Sequence, residues 1–125
     1  MKTILIADDD PKTVAVVGRN LRQAGYRVVS AVSGEDALYK AKRLAPDLIL
    51  MDFLLPGIDG YEAIHLLRQA PETAQIPVLI LSGIARDCLP PARMLHAAVE
   101  HLTKPAPMGL LLDRVAKHID RSRRQ

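Results

Sequence analysis

The sequence predicts an α/β fold: a doubly wound, five-stranded parallel sheet with five helices on its two faces. Three observations carry this. Five short apolar runs alternate with five segments whose apolar residues recur at helical spacing. The connections are only a few residues long, and that βαβαβαβαβα order demands a parallel sheet covered on both sides. The third run, Asp47 to Met51 (DLILM), is apolar after its first residue, as a central parallel strand should be.

Each element can be justified in turn. Lys2 to Ala7 (KTILIA) is a buried strand that stops at three aspartates. Pro11 opens the first helix. Val14, Val17, Leu21 and Ala24 form its apolar stripe, and Gly25 fits its stop. Tyr26 to Ala31 is the second strand. Ser33 with Asp36 resembles a capping box, and Ala37, Ala41 and Leu44 form the stripe behind it. After the third strand come Asp52 and a turn-rich loop, Leu55-Pro56-Gly57-Ile58-Asp59-Gly60. Tyr61, Ile64 and Leu67 mark the third helix. Pro77 to Leu81 is the fourth strand, followed by Ser82 and Gly83. Pro90 and Pro91 open a weaker fourth helix running to about Ala98, and proline there points to a late-starting or mobile helix. Val99 to Thr103 is the fifth strand. Lys104-Pro105 breaks it, and Met108 to Ile119 is the last amphipathic helix.

Composition bounds the function classes. At 125 residues there is room for one domain, assigned to residues 1–121, with a short basic tail at 122–125. Such a domain buries roughly two-thirds of its unfolded surface, enough for a core without disulfides or structural metal. A single cysteine, Cys88, excludes an internal disulfide. The longest apolar runs, such as Ile76 to Ile84, fall far short of the ~20 residues of a membrane span. Asp8 interrupts the N-terminus too early for a signal peptide, so a cytoplasmic location is expected. The net charge is +3, but Arg121, Arg123 and Arg124 carry it: without them basic and acidic residues balance at 14 each. The body of the chain therefore has no nucleic-acid footprint, and no helix-turn-helix remains once the βα units are assigned.

In such sheets ligands bind at the carboxyl ends of the strands. The informative residues are those placed there: Asp8, Asp9 and Asp10; Asp52; Ser82; and Lys104. Carboxylates gathered in one cleft repel each other, which a cation relieves. All-oxygen ligands suit Mg²⁺ or Mn²⁺ and not Zn²⁺. A metal, a lysine and a hydroxyl around one carboxylate can stabilise a transferring phosphoryl group, with Asp52 as nucleophile.

Four segments carry a further reading. They are Ile4-Leu5-Ile6-Ala7-Asp8-Asp9-Asp10, Asp52-Phe53-Leu54-Leu55-Pro56-Gly57-Ile58-Asp59-Gly60, Leu81-Ser82-Gly83 and Leu102-Thr103-Lys104-Pro105. In this order, at these strand ends and over essentially the whole chain, the sequence resembles the receiver domain of two-component response regulators. The resemblance implies a flavodoxin-like strand order 2-1-3-4-5. It implies that Asp9 binds Mg²⁺ directly, Asp8 mainly through water, and the backbone carbonyl of Leu54 as a further ligand. It implies that Asp52 accepts a phosphoryl group from a histidine kinase or a phosphotransfer protein, that Ser82 and Lys104 contact that group, and that the Lys104–Pro105 peptide is cis. The readout would be a changed face on the fourth helix, fifth strand and last helix. That face would bind a downstream protein or output domain, or a second copy of the chain.

The chain departs from the family pattern at several places. His101 stands where an aromatic switch residue is usual, and imidazole adds pH sensitivity. Ala106 replaces the usual phenylalanine after Lys-Pro. Leu54 and Ile84 flank the path of the hydrolytic water in the family, and neither can hydrogen-bond to it; a long-lived aspartyl phosphate is expected. Among the remaining polar residues, Asp59 is read as holding the Pro-Gly loop by an Asx-type turn. His65, His96 and His118 are read as solvated helix residues, and Cys88 as structural.

Two other functions compete with a phosphorylation switch. A Mg²⁺-dependent phosphohydrolase with an aspartyl nucleophile commonly needs a second acid two residues on, where this chain has Leu54. A receiver-like module that binds partners without phosphorylation would not need Asp52, Ser82 and Lys104 together.

Overall fold

The structure, a computed structural model, describes residues 1–83 and 98–123. In chain order the elements are β1 (Thr3–Ala7), α1 (Pro11–Gln23), β2 (Arg27–Ala31), α2 (Gly34–Leu44), β3 (Leu48–Met51), α3 (Gly60–Gln69), β4 (Val78–Ser82), β5 (Ala98–Thr103) and α4 (Met108–Arg123). The five strands are all parallel and lie in the order β2-β1-β3-β4-β5. The helix expected from Pro90 lies outside the described residues, as do Ile84, Cys88 and His96. Ala98, its expected end, is the first residue of β5.

Local sequence accounts for the element ends. Asp10 caps α1, with Oδ1 accepting from the Lys12 N–H at 3.1 Å, and Pro11 occupies the first turn. Gly25, just past the C-cap, has φ of 101°, which favours glycine. Ser33 caps α2 by accepting from the Asp36 N–H at 3.0 Å. The reciprocal half of the box is shifted: the Asp36 carboxylate accepts from Val32, not from Ser33. The loop after β3 also differs from expectation, because Asp59 is the N-cap of α3, accepting from the Glu62 N–H at 2.9 Å. The last helix runs a turn past Ile119, to Arg123.

Strand alternation sends successive side chains to two apolar layers. Leu5, Ile49, Met51 and Ile80 pack with Ala37, Ala41, Ile64 and Leu67 of α2 and α3. Ile4, Ile6, Leu48, Leu50 and Leu79 pack with Val17 and Leu21 of α1 and Leu111, Val115 and Ile119 of α4. Each buried leucine or isoleucine contributes roughly 1.5–3 kcal/mol, so the inner strands are firmly held. The site hangs from this rigid sheet.

β5 departs from plain alternation. Val78 pairs with Ala98 but Leu79 with Glu100, so Val99 is the extra residue of a bulge. Beyond it, Glu100 meets α4: its Oε1 lies 2.9 Å from His118 Nε2 and its Oε2 lies 3.4 Å from Arg114 Nε. His118 is only 6% exposed, which corrects its reading as a solvated helix residue. His65 is half-buried, its Nε2 3.1 Å from Gln69 Nε2.

Candidate functional site

Register places the acids. Ala7, the last residue of β1, pairs with Met51, the last of β3. Asp8 and Asp52 therefore leave the sheet side by side. Each is tied at the backbone: Asp8 donates its N–H to the Ala31 carbonyl at 3.0 Å, and Asp52 donates to Ala7 at 2.9 Å. Ser82 ends β4 opposite Thr103, the last residue of β5, so Lys104 emerges at the same edge.

One carboxylate oxygen from each of Asp8, Asp9 and Asp52 lies within 4.8 Å of the others. Asp8 is 3% exposed, Asp52 half-buried and Asp9 open to solvent. Lys104 Nζ donates to Asp8 Oδ2 at 2.6 Å and to Asp52 Oδ2 at 3.3 Å. The free oxygen of each acid is held by a nearby amide. Asp8 Oδ1 accepts from the Asp10 N–H at 2.9 Å, and Asp52 Oδ1 accepts from the Leu54 N–H at 3.2 Å.

The electrostatics are those of an anion-rich cleft with one ammonium in it. Burial by itself works against the charged form of Lys104. The hydrogen bond to Asp8 and the negative charges of Asp52 and Asp8 outweigh it, so its pKa is raised. Asp10 serves a different end. Its carboxyl is held below the usual range by the Thr13 hydroxyl, 2.9 Å away, and the Lys12 amide. Capping α1 occupies it, which separates it from the cluster of Asp8, Asp9 and Asp52.

The donor set fits a small hard cation. Three carboxylates lie close enough to engage one ion directly or through water, as Mg²⁺ prefers. The remaining expected residues fall as follows. Leu54 is 60% exposed, on the loop directly after Asp52. The Lys104–Pro105 peptide is cis. His101 is half-buried on β5, opposite Ile80 of the α2–α3 layer.

One feature beside the site was not read from the sequence. A mainly apolar groove of about 440 Å³ runs between α1 and α4, lined by Lys12, Val16, Lys104, Pro105 and Met108 among others. Val16 is 47% exposed there. Its signal was present: it is a valine off the apolar stripe of Val14, Val17 and Leu21.

Comparison with known proteins gives the family and the fold. The family described as response regulator receiver domain matches residues 4–116. The DNA-binding dual master transcriptional regulator RpaA of Synechocystis sp. is 39% identical over 124 residues. That covers 99% of this chain but only 52% of RpaA, so the chain spans about half of that relative. A putative response regulator structure from Chloroflexus aurantiacus superposes with a TM-score of 0.84 at 36% identity, covering 95% of this chain and 98% of that one. The receiver domain of sensor histidine kinase PA1611 from Pseudomonas aeruginosa has a TM-score of 0.84 at 30% identity, with the same coverage, and carries a magnesium ion in its active-site cleft.

Proposed function

The chain belongs to the response regulator receiver domain family of two-component systems, and from that membership we propose that it is a phosphorylation-dependent switch with Asp52 as phosphoacceptor. The observation that carries the reading is the bridging of Asp8 and Asp52 by Lys104 at the carboxyl edge of the sheet.

In this reading Asp52 is the nucleophile. One of its carboxylate oxygens attacks the phosphorus of a phosphohistidine on a kinase or phosphotransfer protein. The P–O bond forms as the P–N bond breaks, and the imidazole leaves with the bonding pair. The Lys104 ammonium, already within reach of Asp52, offsets charge on the transferring group. Ser82, at the end of β4, supplies a hydroxyl to the same group. Mg²⁺, or Mn²⁺ in its place, held by Asp8, Asp9, Asp52 and the Leu54 carbonyl, would supply further charge neutralisation when bound. Beyond this self-modification we assign no enzymatic turnover. The groove between α1 and α4 supports docking of the phosphodonor, because it opens beside Lys104 and offers an exposed valine.

The readout is proposed to run along β5. His101 follows the bulge and sits three residues before Lys104, in the position of a switch residue. The face of β5 and α4 would then bind a downstream protein, an output domain or a second copy. His101→Ala should narrow the affinity difference between phosphorylated and unphosphorylated forms for such a partner. Equal partner binding by the variant and wild type in both states would remove His101 from the mechanism.

The acceptor assignment is tested by chemistry specific to an acyl phosphate. Protein treated with Mg²⁺ and acetyl phosphate is reduced with borohydride, and the peptides are mapped. Conversion of Asp52 to homoserine is expected. Conversion at Asp8 or Asp9, or a phosphate resistant to hydroxylamine, would contradict the assignment.

A further inference from the structure

We propose that the first turn of α2 positions the phosphoacceptor loop, with Glu35 as a positioning residue for transfer to Asp52. The proposal rests on Asp52 being the acceptor.

The loop from Phe53 to Asp59 begins at the acceptor and is gripped from two helices. From α2, the Gly34 N–H donates to the Pro56 carbonyl at 3.4 Å, and Glu35 Oε1 accepts from the Ile58 N–H at 3.3 Å. The two bonds run in opposite directions across one helical turn, so the loop is both an acceptor and a donor there. Sterics match this. Gly57 has φ of 80°, and a Cβ at that position would run into the Glu35 carboxylate. A Cβ on Gly34 would meet the Ile58 carbonyl oxygen at 2.7 Å. Both glycines thus let the first turn of α2 and the loop close on each other.

The other grip comes from α3. The Gly60 N–H donates to the Phe53 carbonyl at 2.8 Å, and a Cβ on Gly60 would lie 2.9 Å from Phe53 Cα. Between these two anchors sits Leu54, whose N–H reaches Asp52 Oδ1. Fixing the loop at Phe53 and at Pro56–Ile58 therefore fixes the amide that orients the acceptor carboxylate. Glu35 stands outside the cluster of Asp8, Asp9 and Asp52, and it holds the loop through the Ile58 backbone N–H. Its effect on transfer is geometric, and small misplacements of a reacting group cost rate steeply.

The test uses Glu35→Ala, Glu35→Gln and Gly34→Ala in the full chain. Two readouts are taken: amide hydrogen exchange at Leu54 and Ile58 without metal or donor, and the phosphorylation rate from acetyl phosphate at saturating Mg²⁺. Glu35→Ala should speed exchange at both amides and slow phosphorylation roughly threefold to tenfold. Its thermal midpoint should stay close to wild type. Glu35→Gln keeps a side-chain carbonyl acceptor and should recover most of the rate. Gly34→Ala should slow phosphorylation at least as much as Glu35→Ala. Unchanged exchange and rate in Glu35→Ala would overturn the proposal, as would a rate loss that glutamine fails to rescue. If wild type itself takes up no phosphoryl group, the acceptor reading falls. Faster exchange in Glu35→Ala would then mark a purely structural clasp, and the positioning role would be withdrawn.

Discussion

Lys104 pairs with Asp8 across 96 residues of sequence, Nζ to Oδ2 at 2.6 Å, and more closely than it pairs with Asp52. The chain thus sets one ammonium against a buried carboxylate and lets the same ammonium reach the proposed acceptor. Removing it by Lys104→Met leaves Asp8 facing the other acids without that partner. We expect a loss of about 1.5–3 kcal/mol in folding stability, the usual worth of a charge-assisted hydrogen bond. Phosphorylation from acetyl phosphate should fall on the order of 10²-fold. Urea unfolding and a phosphorylation time course check the two effects separately.

Metal binding should stabilise the fold by mass action. A ligand that binds only the native state contributes about 2.7 kcal/mol at a concentration 100 times its Kd. Mg²⁺ should therefore raise the thermal midpoint, and chelation should reverse the rise. In the Asp9→Asn, Asp52→Asn double variant most of that rise should disappear. A midpoint that responds to Mg²⁺ equally in both proteins would place the ion elsewhere.

The side chain of Leu54 is mostly in solvent, so changing it should leave the fold intact while altering what it presents to water beside Asp52. An apolar residue cannot orient a hydrolytic water, and asparagine can. Leu54→Asn should shorten the lifetime of the phosphorylated form several-fold against a slow wild-type decay. Rapid wild-type loss that Leu54→Asn does not change would contradict this.

The contact of Glu100 with His118 and Arg114 ties β5 to α4. Glu100→Ala leaves the buried His118 ring without that acceptor, at a cost of about 1–3 kcal/mol. The denaturation midpoint should drop with an unchanged slope against urea. An unchanged midpoint would show that the pair adds nothing net.

Two strand ends were readable because the apolar runs stop abruptly, Ala7 before Asp8 and Met51 before Asp52, and the third because Lys104-Pro105 breaks the strand after Thr103. A parallel sheet with matched registers then brings those residues together. His118 was misread for an identifiable reason. It lies seven residues after Leu111 and three after Val115, on the same buried stripe, and polarity alone had assigned it to solvent. Its partner Glu100 lies inside the mixed strand β5, aimed by a bulge that no local pattern signals. The grip of α2 on the loop after Asp52 was likewise hidden. It joins Glu35 to Ile58 through tertiary packing, and neither residue departs from its local pattern.

The most direct measurement is intact mass after incubation with acetyl phosphate, for wild type and Asp52→Asn, with and without Mg²⁺. One added phosphoryl group is expected on wild type with Mg²⁺, and none on wild type without it or on Asp52→Asn. Equal phosphorylation of Asp52→Asn, or uptake independent of Mg²⁺, would contradict it.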